Sequence, residues 1–160
     1  MKEAPKIQRR HVAAAVIGNA LEFYDFVTYA FFAVQLGQVF FPSHDAYASL
    51  MLSLGTFGAG FAMRPLGGVL LGRYADKVGR RPAMMLSFGL MGGAILAVAL
   101  IPSYAAIGVA APILVVLARM VQGFALGGEV GSSTAYLVEA APVYERGFYA
   151  AWQGGSQYMA

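Results

Sequence analysis

The sequence predicts an all-α protein that crosses a membrane several times, and three observations carry that prediction. Of its 160 residues, 59% are hydrophobic and 12% charged, with a mean hydropathy of +0.63; soluble domains carry about twice that share of charge. The apolar residues fall into long runs, and about 20 such residues in a helix cross a bilayer. The 20 glycines are scattered through those runs instead of gathering in linkers, a habit of closely packed membrane helices.

A basic N-terminus, 1–11, holds Lys2, Lys6, Arg9 and Arg10. The first span follows over about 12–41; Glu22 and Asp25 interrupt its apolar run, which argues for an uncleaved helix over a signal peptide. Phe41-Pro42-Ser43-His44-Asp45 makes a turn, and a second span covers about 46–71. Next comes Gly72-Arg73-Tyr74-Ala75-Asp76-Lys77-Val78-Gly79-Arg80-Arg81-Pro82, with five charges in eleven residues, expected as a loop over 72–82. A third span over about 83–101 ends at Pro102-Ser103. The fourth lies within about 110–138, the turn 139–147 follows, and a fifth begins over 148–160. Everything from 12 to 160 reads as one partial bundle.

Lys and Arg settle the predicted orientation. Nine of the eleven lie in the N-terminus, the 72–82 segment and the 142–147 turn, and none lies in the turns 42–45 and 102–106. Cytoplasmic loops collect these residues, so the N-terminus and the 72–82 segment are expected on the cytoplasmic side of the cell inner membrane, with membrane lipid as neighbour. The net charge of +3 and pI near 9.3 therefore reflect loop anchoring and imply no nucleic-acid partner. With no cysteine, disulfides and thiolate metal sites are excluded. The chain shows no phosphate-cradling loop, nucleophile elbow or metal-spaced histidine pair, so no enzyme activity, cofactor or metal is expected.

Five charges fall inside the predicted spans: Glu22, Asp25, Arg64, Arg119 and Glu129. Each costs about 2.5–3.5 kcal/mol at a helix centre, so the fold must pair them or line a wet cavity with them. Asn19, Glu22, Asp25 and Tyr29 are spaced by three, three and four and share one side of the first helix; Arg119, Gln122, Glu129 and Ser133 form a second polar stripe. Two such stripes should face each other or a common cavity. Small residues mark packing faces at Gly123, Gly127 and Gly131, at Gly60, Gly68 and Gly72, and at Gly89, Gly93 and Ala97.

The 72–82 segment resembles the signature loop between helices two and three of the major facilitator superfamily, G-x-L-A-D-r-x-G-r-r/k. Gly72, Ala75, Asp76, Gly79, Arg80 and Arg81 match it, and Tyr74 stands where Leu is usual. Gly18 to Phe26, Arg64 to Gly68, Arg119 to Glu129 and Pro142 to Gly147 resemble the metabolite:proton symporter family within it. Ile101-Pro102-Ser103-Tyr104 and Gly147 to Gln157 are similar to its citrate and tricarballylate branch, while Gly128-Glu129 and Glu22-Phe23-Tyr24 look more like other branches.

The resemblance implies the N-terminal part of a major facilitator fold, four transmembrane helices plus the start of a fifth, belonging to a transporter of about twelve helices in two halves. Such a chain is expected to need the missing C-terminal half, because the family's site lies between the halves. It implies symport of a proton with a small organic acid, citrate or another tricarboxylate, with 2-oxoglutarate, shikimate or proline/betaine as alternatives; a channel or non-transporting subunit is the reading from another class. The five intramembrane charges sum to −1, which one proton on Asp25 or Glu22 would neutralise; permanent pairing of that carboxylate with Arg64 or Arg119 is the alternative. Substrate binding is expected from Arg119 with Gln122, then Arg64, with Asn19, Tyr29 and Glu129 on the same stripes. Gly72, Asp76, Gly79, Arg80 and Arg81 are expected to gate.

Overall fold

The structure, a computed structural model, describes residues 9–140, 144–148, 151 and 155. The described side chains leave out those of 9–15, Glu22, 130–137, 139 and 140. The chain folds into α1 (Arg9–Phe31), α2 (Ala33–Phe40), α3 (Ala46–Val78), α4 (Arg80–Leu100), α5 (Tyr104–Ile107) and α6 (Ala110–Ala140), with no strand among the described residues. Among the described residues, three helices are long and apolar enough to cross a membrane: α3, α4 and the Ala110–Glu129 part of α6. Their outward faces carry Met85, Leu96, Leu100 and Ile113, all exposed, as an apolar surface suited to lipid requires.

The first expected span is divided at Phe32 into α1 and α2, yet the helical ladder continues across the junction. Phe32 N–H donates to the Thr28 carbonyl oxygen at 3.0 Å and Leu36 N–H to the Phe32 carbonyl oxygen at 2.9 Å. α2 ends where Ser49 Oγ–H donates to the Phe41 carbonyl oxygen at 2.7 Å. Asp45 caps α3 by accepting from Tyr47 N–H at 2.9 Å, satisfying one of the donors that open a helix. Phe40, Phe41, Ala111 and Val115 form a small apolar core at this end, with Leu36, Ile101 and Tyr104 packed on it. The expected turn at 102–106 contains the single helical turn α5.

The largest departure is the charged segment. The sequence reading has a loop over 72–82; in the structure α3 runs through it to Val78, and α4 begins at Arg80. Thirty-three residues make a helix of about 50 Å against a hydrocarbon core of about 30 Å, so the charged turns can stand clear of the lipid without unwinding. Arg73, Ala75 and Lys77 favour helix. Only Gly79 breaks it, at φ 108° and ψ 158°, a conformation open to glycine alone. Pro82 then falls in the first turn of α4, where its missing N–H costs nothing. The fourth span extends to Ala140, whereas most of the expected fifth, 148–160, and the N-terminal 1–8 lie outside the described residues.

α3 packs on α6 more extensively than any other pair, followed by α4 on α6. α3 and α6 run parallel, and their backbones touch through glycine. A Cβ on Gly123 would lie 1.8 Å from the Gly60 carbonyl oxygen, one on Gly127 2.0 Å from that of Arg64, and one on Gly67 1.9 Å from that of Phe124. The expected small faces on α3 and α6 are thus used at Gly60, Gly68, Gly123 and Gly127. Gly72, Gly89 and Gly93 are not: nothing lies within 4 Å of a Cβ placed on them, and the side of α6 at Gly131 lies outside the described side chains. Gly123→Ala is expected to force the helices apart at a cost of about 1–3 kcal/mol and to lower the melting temperature in detergent. Gly93→Ala is expected to leave it unchanged or slightly raised.

Candidate functional site

The two polar stripes meet through side chains. Arg119 of α6 donates from Nη1 to Asp25 Oδ2 of α1 at 3.0 Å, with side-chain exposures of 8% and 24% respectively. The same Nη1 donates to Gln122 Oε1, one turn further along α6. Removed from water, such a charge-assisted contact is stronger than an exposed ion pair. The Arg119 guanidinium also lies 3.9 Å above the centre of the Tyr29 ring.

Tyr29 is itself held. It is 2% exposed; its hydroxyl donates to the Ser53 carbonyl oxygen at 2.9 Å and lies 2.7 Å from Thr56 Oγ1, both on α3. Its ring stacks on Phe57 at 5.4 Å with the planes 5° apart. Phe57 continues into an aromatic cluster with Phe61 at 5.2 Å and Phe26 at 4.6 Å. Arg64, the second intramembrane arginine, lies 3.8 Å over the Phe61 ring and 6.0 Å from that of Phe26. Both guanidiniums therefore face aromatic π-clouds, a contact that gains strength where water is excluded.

These groups line one cavity of about 40 Å³, walled by Asp25, Phe26, Phe57, Phe61, Arg64, Met91, Arg119 and Gln122, with Gly60 and Gly123 at its floor. That volume has room for a few water molecules and none for a six-carbon acid. The cavity gathers three of the five intramembrane charges, Asp25, Arg64 and Arg119, for a formal charge of +1. The balance of −1 expected for all five does not describe the cavity. Glu129 is 1% exposed on α6 and Asn19 1% exposed on α1; neither lines it, and both have partners of their own. The side chains of Glu22 and Ser133 lie outside the described ones. Tyr29 sits beneath Arg119 and is absent from the cavity wall.

At the far end of α3, Asp76 pairs with Arg80 across the Gly79 break at 3.1 Å, with side chains 66% and 31% exposed. Gly72 has open space around it, and Arg81 is exposed. The gating candidates are thus spread along the α3–α4 junction and do not line the Arg119 cavity.

Sequence reasoning missed the aromatic wall and the Ser53–Thr56 anchor. A signal existed: Ser53, Thr56 and Gly60 on α3 are spaced by three and four, as are Phe57, Phe61 and Arg64, so small polar and aromatic-basic stripes run side by side. Removing one member of the central pair leaves the other buried without its partner. Arg119→Gln is accordingly expected to lower the melting temperature more than the double variant Asp25→Asn/Arg119→Gln, giving a coupling energy of about 1–3 kcal/mol in a double-mutant cycle.

Comparison with known proteins places this geometry in a family. Residues 11–155 match the family described as "Sugar (and other) transporter". The chain is 46% identical over 143 residues to the citrate-proton symporter of Salmonella typhi, covering 89% of this chain and 33% of that protein. It is 44% identical over 142 residues to the alpha-ketoglutarate permease of Escherichia coli, covering 89% and 33%. It is 43% identical over 144 residues to the glycine betaine/proline/ectoine/pipecolic acid transporter OusA of Dickeya dadantii, covering 90% and 29%. The chain thus spans about a third of the length of the curated relatives it matches. No solved structure shows a significant match. A match over nearly the whole chain, with relatives all named as transporters, shows that this membrane protein belongs to the sugar-and-other-transporter family of the major facilitator superfamily.

Proposed function

We propose that the chain forms part of the N-terminal half of a proton-coupled symporter for a small organic acid, with Asp25 as the proton-binding group and Arg119 as the cation that links proton to substrate. The observation that carries this reading is the 3.0 Å Arg119–Asp25 pair at the wall of a buried cavity. While Asp25 is ionised, it holds the Arg119 charge. A proton on Asp25 removes that hold, and a substrate carboxylate can take its place on the guanidinium, which matches carboxylate in a bidentate fork. Proton and anion then favour each other's binding through one shared cation, and such linkage is reciprocal.

Three features favour an anion over the betaine class of some relatives. The cavity's formal charge is +1. Arg119 Nε and Gln122 Nε2 are buried donors with no protein acceptor among the described residues, and an incoming carboxylate would supply acceptors as the cavity opens. The aromatic faces that would serve a quaternary ammonium are covered by the chain's own cations, Arg64 over Phe61 and Arg119 over Tyr29. Citrate or another tricarboxylate is the substrate class this supports, and 2-oxoglutarate fits the same chemistry. The cavity's size supports a substrate space completed by the rest of a longer transporter.

In this reading the N-terminus and the Asp76–Arg80 element face the cytoplasm of the inner membrane, and the Gly79 break lets α3 and α4 move as levers. Asp76→Asn is expected to slow transport severalfold without changing affinity for the substrate. In the complete transporter, Asp25→Asn is expected to abolish gradient-driven accumulation while sparing counterflow exchange of preloaded citrate. Accumulation by that variant still driven by an imposed pH gradient would overturn the proton assignment. Uptake that neither saturates nor falls with an uncoupler would point to a channel instead.

A further inference from the structure

Tyr29 holds a position that neither a substrate contact nor a lipid anchor explains. Its hydroxyl is spent on α3, through the Ser53 carbonyl oxygen and Thr56 Oγ1. Thr56 is in turn bonded to the same carbonyl at 2.7 Å. Its ring is braced by Phe57 and lies under the Arg119 guanidinium at 3.9 Å. With 2% exposure and no place on the cavity wall, it reaches the site through Arg119 and Phe57.

We infer that Tyr29 is a positioning residue for Arg119: a neutral aromatic platform, pinned to α3, that keeps the guanidinium at the cavity wall while Asp25 carries a proton. This rests on the symport reading above and adds to it the group that acts when the ion pair is off. An arginine in a membrane interior whose paired carboxylate becomes neutral tends to swing toward water or headgroups. Arg119 keeps two other contacts, the Gln122 oxygen and the Tyr29 ring. Gln122 is on the same helix and moves with Arg119. Tyr29 is on α1 and tied to α3, so it fixes the guanidinium relative to the wall of α3 that carries Arg64, Phe57 and Phe61. The ring attracts the cation through its quadrupole, independently of the charge on Asp25. Asp25 supplies the switchable hold on Arg119 and Tyr29 the constant one.

The test varies the quadrupole at constant shape. In the complete transporter reconstituted in liposomes, Tyr29 is replaced by Phe and then by phenylalanines carrying one, two and three ring fluorines, and citrate uptake is measured under a fixed pH gradient. Tyr29→Phe keeps the platform and is expected to hold KM within about threefold of the parent. Successive fluorines are expected to raise KM stepwise, to about tenfold in total, with Vmax changed less than twofold. Tyr29→Leu is expected to lie at or beyond the end of that series. A KM that stays flat across the fluorine series, or a Tyr29→Phe variant as impaired as Tyr29→Leu, would overturn the platform and leave Tyr29 as a helix tie. Asp25→Asn measured in parallel separates the two ideas. A flat fluorine series with Asp25→Asn uncoupled removes only the platform, whereas coupled uptake by Asp25→Asn removes the symport assignment beneath it.

Discussion

Glycine contact between α3 and α6 brings two helix backbones closer than any side chain would permit, and it sets the spacing of the helices that carry both cavity arginines. With the Gly60 and Arg64 carbonyl oxygens set against Gly123 and Gly127, the two helices run parallel at fixed register. Arg64 and Arg119 both line the cavity beside this contact, with Asp25 of α1, Gln122 of α6 and aromatic rings around them. A larger residue at Gly123 would widen the helix pair and move both arginines relative to Asp25, so packing and electrostatics are here a single constraint.

Buried charge is expensive in a membrane, where no solvent relieves it. Among the described contacts, Asp25 pairs with Arg119, and π-faces and the Gln122 oxygen add to the hold on the cavity's cations. The π-face contacts hold a guanidinium in place without neutralising it.

The charged segment at the end of α3 illustrates a second economy. Its Ala, Lys and Arg extend the helix, and one glycine turns the chain without a loop. The exposed Asp76–Arg80 pair spans that glycine. Exposed pairs of this kind contribute about 0–1 kcal/mol.

Much of this was legible in order along the chain. Composition and apolar runs determined a helical membrane protein, the Lys and Arg pattern predicted its orientation, and the motifs named the superfamily. The spacing of Asn19, Glu22, Asp25 and Tyr29 and of Arg119 and Gln122 marked two polar stripes, because helix period alone decides which residues share a face. Other features depended on partners distant in sequence. Asp25 meets Arg119 across 94 positions, whereas Glu129, on the same predicted stripe, lies buried outside the cavity; helix period cannot say how far along a face a neighbour reaches. Tyr29 was legible as polar and aromatic, but that its hydroxyl faces Ser53 and Thr56 while its ring faces Arg119 depends on how α1 lies against α3. The charged segment was legible as a turn, though its helical form was not, since charge density marks contact with water and says nothing of backbone conformation. The sequence by itself determined which groups must be sheltered from lipid. The tertiary structure decided which of them meet, because that depends on the glycine-set distance between helices, a property of pairs of segments and of no single one.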